Sequence, residues 1–167
     1  MPHQLIVLAA QDLLYVLVAV AALVWLLLDR PGKVRLAVEA VLGLAVVGIG
    51  IWVAAHLHTD PRPFVSDGTP ALFAHPADNG FPSDHSAAAG LLATVVARHR
   101  RVVGALVAVG AVVVAWARVA AHVHHAQDVV AGLGIGVLAG LAGIWLAGML
   151  LALLERRGVL PSTLARP

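Results

Sequence analysis

Apolar residues fall into five runs, Leu5–Leu28, Val34–Leu57, Ser86–Ala97, Val102–Ala121 and Val129–Leu154. Between them lie Asp29-Arg30-Pro31-Gly32-Lys33, a long polar stretch, Arg98–Arg101 and His122–Asp128. Runs of about 20 apolar residues match bilayer-spanning helices better than core helices. In lipid such runs must be helical, because the backbone can satisfy its hydrogen bonds only internally. The pattern predicts an all-α, polytopic membrane helix bundle of about five transmembrane helices, one domain over residues 1–167. The first run reads as a mature helix, since Met1–Gln4 has no basic n-region and no small-residue cleavage motif breaks the run. The third run has only 12 residues, about 18 Å of helix against a hydrocarbon core of about 30 Å. If it crosses, Pro82–His85 must be recessed below the outer headgroups while Arg98–Arg101 snorkel at the inner face.

Composition and charge sharpen this picture. The chain is 60% hydrophobic and 12% charged, with mean hydropathy +0.92, which excludes an ordinary soluble domain at about 45–50% apolar. It has no cysteine, so disulfides, thiolate metal sites and a cysteine nucleophile are excluded. Nine of the eleven basic residues fall into three clusters: Arg30, Lys33 and Arg35; Arg98, Arg100 and Arg101; Arg156, Arg157 and Arg166. Short cytoplasmic loops collect Lys and Arg, and these clusters share one face only if all five runs cross. A multi-pass protein of the cell membrane is therefore expected, with an outside N-terminus, a cytoplasmic C-terminus and extracytoplasmic loops at Thr59–Pro82 and Ala121–Asp128. The sequence pI of about 9.9 then reflects cytoplasmic arginines, and no nucleic-acid partner is implied.

The outer side holds His56, His58, His75, His85, His122, His124 and His125, five aspartates and the remaining Arg62 and Arg118. Ionisable groups near membrane depth mark functional sites, and connections as long as 59–82 are usually functional or disordered. Two arginines against five aspartates make no broad basic field, so anion binding there must come from focused local donors.

Three groups on that face carry chemistry. Pro82-Ser83-Asp84-His85-Ser86 opens the third helix, with Ser83 or Asp84 as N-cap; the unpaired amides of such an end favour an anion, and His85 stands in the first turn. Arg118 is followed by His124 and Asp128, whose i,i+4 spacing puts them on one helical face. There the carboxylate can hold one imidazole nitrogen and free the other as a nucleophile. Arg62, in Asp60-Pro61-Arg62-Pro63-Phe64, is presented from a stiff segment, as bidentate phosphate binding prefers. Taken alone, the first two groups read better as a capped helix and a terminal ion pair, and Arg62 equally as an interfacial arginine. Their arrival at one face changes that weighing.

Arg62-Pro63, Pro82-Ser83-Asp84-His85 and Arg118, with His124 six residues on and Asp128 four further, resemble the three-part signature of the type-2 phosphatidic acid phosphatase superfamily. The resemblance is greatest to its bacterial undecaprenyl-diphosphate phosphatase branch linked to bacitracin resistance, where Asp commonly replaces Gly between the Ser and His of the second motif. It covers roughly residues 53–130 by motif. It implies an integral membrane phosphatase in which His124 forms a phosphohistidine and Asp128 orients it. By the same resemblance His85 protonates the leaving oxygen and then activates water, and Arg62, Ser83 and Arg118 hold the phosphoryl oxygens. The implied substrate is a prenyl diphosphate, undecaprenyl diphosphate giving undecaprenyl phosphate, with phosphatidylglycerophosphate or phosphatidic acid as alternatives. No metal or cofactor is implied. The chain departs from the family pattern at Ala55, where the first motif carries lysine, and at Ala117, where the third carries serine; His56 or His58 could substitute for the lysine.

A reading from another class is a metal-binding membrane protein using His56, His58, His122, His124 and His125, which the interspersed arginines oppose. Gly132, Gly136 and Gly140 repeat at four-residue spacing and are expected to pack the bundle rather than to dimerise it; no oligomeric state follows from the sequence. Trp52 and Trp116 read as outer interfacial anchors, Trp25 as an inner one. Asp12 and Glu39, inside the first two runs, are expected near interfaces or against protein. Residues 159–167 read as a frayed tail.

Overall fold

The computed structural model describes residues 2–161. It comprises α1 (Pro2–Gln11), α2 (Leu13–Leu27), α3 (Arg30–Leu57), the short α4 (Pro63–Ser66), α5 (Asp84–His99), α6 (Arg101–Ala120) and α7 (Ala126–Arg156). Among the described residues there is no strand beyond an isolated bridge between Pro61 and Asn79. The chain is a multi-span membrane protein. Helices α3, α6 and α7 are each long and apolar enough to cross a membrane, and α1 with α2 makes a fourth candidate if counted as one bent span. Most of the tail expected from residue 159 onward lies outside the described residues.

Two of the five predicted runs differ from expectation. The first is not one helix: it breaks at Asp12, where α1 and α2 meet at 46°. A carboxylate is a costly guest inside an apolar helix, and here Asp12 becomes the exposed residue that opens α2. The third run gains a turn from Ser83, whose hydroxyl caps α5 by accepting the Ser86 N–H at 3.4 Å. Even so, α5 has 16 residues, about 24 Å at about 1.5 Å each, and is shorter than α3, α6 and α7. Helix α3 also starts earlier than its apolar run, because the Asp29 side chain accepts the Gly32 N–H and Pro31 occupies the first turn.

Short α5 is also the most enclosed helix, packed against α7, α6, α3 and α2. Its small residues allow this. A Cβ placed on Gly136 of α7 would stand 2.1 Å from the Ala87 carbonyl oxygen, and one on Gly132 2.4 Å from that of Ser83. Gly143 meets the Glu39 carbonyl of α3 in the same way. The glycine stripe thus faces the chain's own α5 and α3. At the opposite end of α5 from Ser83, His99 Nε2 lies 2.7 Å from Glu39 Oε2, a pair nearly sealed from solvent.

Candidate active site

The N-terminus of α5 is pressed against that of α7, so that the Ser83 N–H donates to the Asp128 carbonyl at 3.0 Å. Directly before α7 the chain reverses at His122, which takes φ 58°, a left-handed conformation in which histidine is among the more tolerated residues. That reversal returns Val123 and His124 toward Arg118, one turn back on α6. The expected helical origin of the His124–Asp128 pair is therefore corrected: α7 begins at Ala126, and His124 belongs to the loop. The pair forms all the same, because Asp128 Oδ2 accepts both the His125 N–H at 2.8 Å and His124 Nδ1–H at 3.3 Å. Asp128 is fully buried and its Oδ1 has no partner.

With Nδ1 committed to Asp128, His124 Nε2 is left as an acceptor between two guanidiniums. Arg62 Nη1 reaches it at 3.2 Å and Arg118 Nη2 at 3.4 Å. Both arginines are buried, 6% and 3% exposed, and each is held from behind. Arg62 donates from Nη1 to the Val123 carbonyl and from Nε to Asp78, both at 2.8 Å. Arg118 donates to the Ala10 carbonyl at 3.3 Å, and its guanidinium lies over the Phe73 ring. Burial, with the charges of Arg118 and Arg62, keeps the His124 imidazole below its ordinary 6.5 despite the Asp128 hydrogen bond, so it is neutral at physiological pH. Burial would raise the Asp78 carboxyl, but the Arg62 hydrogen bond and charge outweigh it and hold it low.

These groups open on a cavity of about 290 Å³ lined by Arg62, His75, Asp78, Asp84, His85, Arg118 and His124, with Ala55 and Phe81 among its apolar walls. Of the residues expected from sequence, Arg62, His85, Arg118 and His124 meet in this cavity and Asp128 stands behind His124. Ser83 is not among the lining residues: it is wholly buried, and its hydroxyl is engaged with Ser86. Neither suggested substitute for the lysine reaches the cavity either. His56 Nδ1 bonds the Trp52 carbonyl at 2.7 Å, and the His58 ring packs edge-on against Phe81.

Sequence reasoning placed His75, Asp78 and Asp60 on the outer face but gave them no role. His75 Nε2 lies 2.9 Å from Arg118 Nη2. Asp60 accepts from His125 Nδ1 at 3.0 Å and from the Gln127 amide at 2.5 Å, tying the end of α3 to the start of α7. Loop 67–82 is stitched down by Asn79, whose side chain accepts from the Asp60 and Phe81 amides and donates to the Ala55 and His58 carbonyls. No spacing rule links a loop residue to a partner tens of residues away, so these ties carried no sequence signal. Among the described residues one group, Asp60, His125 and Asp128, brings a possible metal ligand atom from each within 4.8 Å of the others. Asp60 Oδ2 and Asp128 Oδ2 already receive donors from that same cluster. His56, His58 and His122 lie apart from it, His122 bonding the Pro70 carbonyl.

Residues 36–152 match the model of the PAP2 superfamily, and the chain belongs to that family: it is a membrane PAP2 lipid phosphatase, a phosphoric ester hydrolase. It is 35% identical to YbjG of Escherichia coli (strain K12) over 83% of this chain and 71% of that one. To the bacitracin transport permease protein BcrC of Bacillus licheniformis it is 32% identical, over 83% and 68%. To the undecaprenyl-diphosphatase BcrC of Bacillus subtilis (strain 168) it is 25% identical, over 75% and 66%. Among solved structures, Aquifex aeolicus LpxE shares the fold with a TM-score of 0.63 at 22% identity, covering 85% of this chain and 93% of that chain.

Proposed function

We propose that the enzyme removes the terminal phosphate of a prenyl diphosphate, undecaprenyl diphosphate to undecaprenyl phosphate, through a phosphohistidine on His124, at the extracytoplasmic face of the cell membrane. The observation that carries the mechanism is His124 itself, neutral, with Nδ1 on a buried carboxylate and Nε2 facing the cavity between two buried arginines. Nε2 attacks phosphorus, the bond to the bridging oxygen breaks, and His85, which takes up a proton as the phosphate enters, gives that proton to the oxygen and returns to the neutral imidazole. Water then surrenders a proton to His85 as it attacks, the N–P bond breaks, and orthophosphate leaves. Arg62 and Arg118 turn their N–H groups from His124 to the phosphoryl oxygens and hold the charge that develops there. Ser83 acts from behind the cavity, capping α5 so that His85 faces the phosphate.

The preference for a prenyl diphosphate is supported by the name of the Bacillus subtilis relative and by the Asp84 form of the second motif. Release of phosphate from undecaprenyl diphosphate, phosphatidylglycerophosphate and phosphatidic acid by the purified protein in detergent tests it. Undecaprenyl diphosphate is expected to be the best substrate, activity to survive EDTA, and His124→Ala to abolish release while acid-labile label on the wild type marks the phosphoenzyme. A higher kcat/KM for either glycerophospholipid would replace the substrate; activity retained in His124→Ala would overturn the mechanism.

A further inference from the structure

His75 lies on the loop between α4 and α5, outside all three motif groups, and the mechanism above leaves it without a role. It is nevertheless as close to Arg118 as any group in the cavity. Its Nδ1 is 3.2 Å from the Pro76 carbonyl; the proton on Nδ1 donates there, which leaves the Nε2 lone pair to accept from Arg118 Nη2 at 2.9 Å. The same Nη2 also reaches His124 Nε2 at 3.4 Å, and the two imidazoles stand edge to face with centroids 6.4 Å apart. His75 therefore occupies, with a lone pair, a position on Arg118 that a phosphoryl oxygen would otherwise fill.

A second cavity of about 400 Å³, lined by Gln11, Asp12 and Tyr15, lies beyond it, and His75, His85 and Arg118 are common to both. His75 is thus part of the wall between the two chambers. It is half-buried, and burial first, then the Arg62 and Arg118 charges, hold its imidazole below 6.5, so the empty site keeps it neutral. When an oxyanion enters, Arg118 turns to it, and Nε2 of His75 then faces negative charge instead of a guanidinium. Taking a proton from solvent gives an imidazolium that keeps Nδ1–H on Pro76 and donates Nε2–H to the anion. The groups facing it are the Arg62 and Arg118 guanidiniums, the His85 and His124 imidazoles, and the Asp12, Asp78 and Asp84 carboxylates that line the two chambers.

We propose that His75 is a third phosphoryl-binding side chain, delivered by loop 67–82 to complete a site that Arg62 and Arg118 begin. This rests on the phosphatase reading above, and two readouts keep the two apart: equilibrium binding of orthophosphate to the purified full chain, and kinetics with lipid phosphate. His75→Ala is expected to weaken orthophosphate binding and to raise KM about tenfold each, as for loss of one charge-assisted hydrogen bond, with kcat within about threefold. His75→Gln, which can still donate, should recover most of both, and orthophosphate binding should tighten more steeply in wild type than in His75→Gln as pH falls. His75→Phe keeps the ring volume and serves if the alanine variant does not fold; His56→Ala, outside the cavity, is the control.

Unchanged orthophosphate affinity in a folded His75→Ala protein overturns the proposal. So does a fall in kcat with orthophosphate binding intact, which would make His75 a positioning residue for Arg118. A wild type that binds orthophosphate through His75 yet releases none from any lipid would overturn the substrate reading and leave this site standing. A wild type that neither binds nor releases phosphate would overturn both.

Discussion

At the scale of single side chains, one imidazole has its two nitrogens sent in opposite directions. Asp128 fixes the tautomer of His124, so Asp128→Asn should leave the fold intact and cut kcat by about 10²–10⁴-fold, measured as phosphate release from the lipid substrate. The pH dependence follows from the sign of the His124 shift. The proposed nucleophile works only when neutral and its pKa is depressed below 6.5, so the acid limb that it sets in kcat/KM should be centred below 6.5. An acid limb centred above 6.5 would show that the arginine charges do not act on His124 as the geometry implies. The motif residues were legible because histidine, aspartate and arginine stand out between apolar runs and at short, fixed separations. What could not be read was the setting of Ser83, whose hydroxyl accepts from Ser86 and whose carbonyl packs against Gly132, contacts that no motif announces.

At the scale of helices, the site is held by the contact of α5 with α7. Gly136→Val should separate the two and cost about 1–3 kcal/mol by overpacking, seen as a lower Tm and lost activity together. Gly134→Val, where an added Cβ meets nothing within 4 Å, should change neither. At the other end of α5, His99→Ala strands the Glu39 carboxylate in a buried setting and should destabilise by about 1–3 kcal/mol. Coupling with Glu39→Ala in a double-mutant cycle checks that the loss comes from the pair. Hydrophobic runs located every long helix, since a membrane helix is written in apolar length. They could not show the loop position of His124, because it depends on a contact between elements, the Asp128 carboxylate with two donors of the preceding loop; the break at Asp12 shows in the sequence only as a carboxylate inside an apolar run.

At the scale of the whole molecule, sidedness decides which leaflet supplies the substrate. The chain contains no cysteine, so single substitutions report it cleanly. Val65→Cys on α4 should react with an impermeant thiol reagent added to intact cells, and Val159→Cys beyond α7 should react only after lysis; the reverse pattern would put the cavity on the cytoplasmic side. The basic clusters carry the orientation expected here, whereas the way the first two helices close the site has no sequence signal, because nothing in an apolar run announces which carbonyl it will lend. The family match begins at residue 36, yet the Ala10 carbonyl, well upstream, grips Arg118. The signature motifs are therefore not a self-sufficient machine in this chain. An accessory leading segment has its hand on one of the two guanidiniums proposed to bind phosphate, so drift or engineering there should retune anion affinity while every motif residue stays as it is.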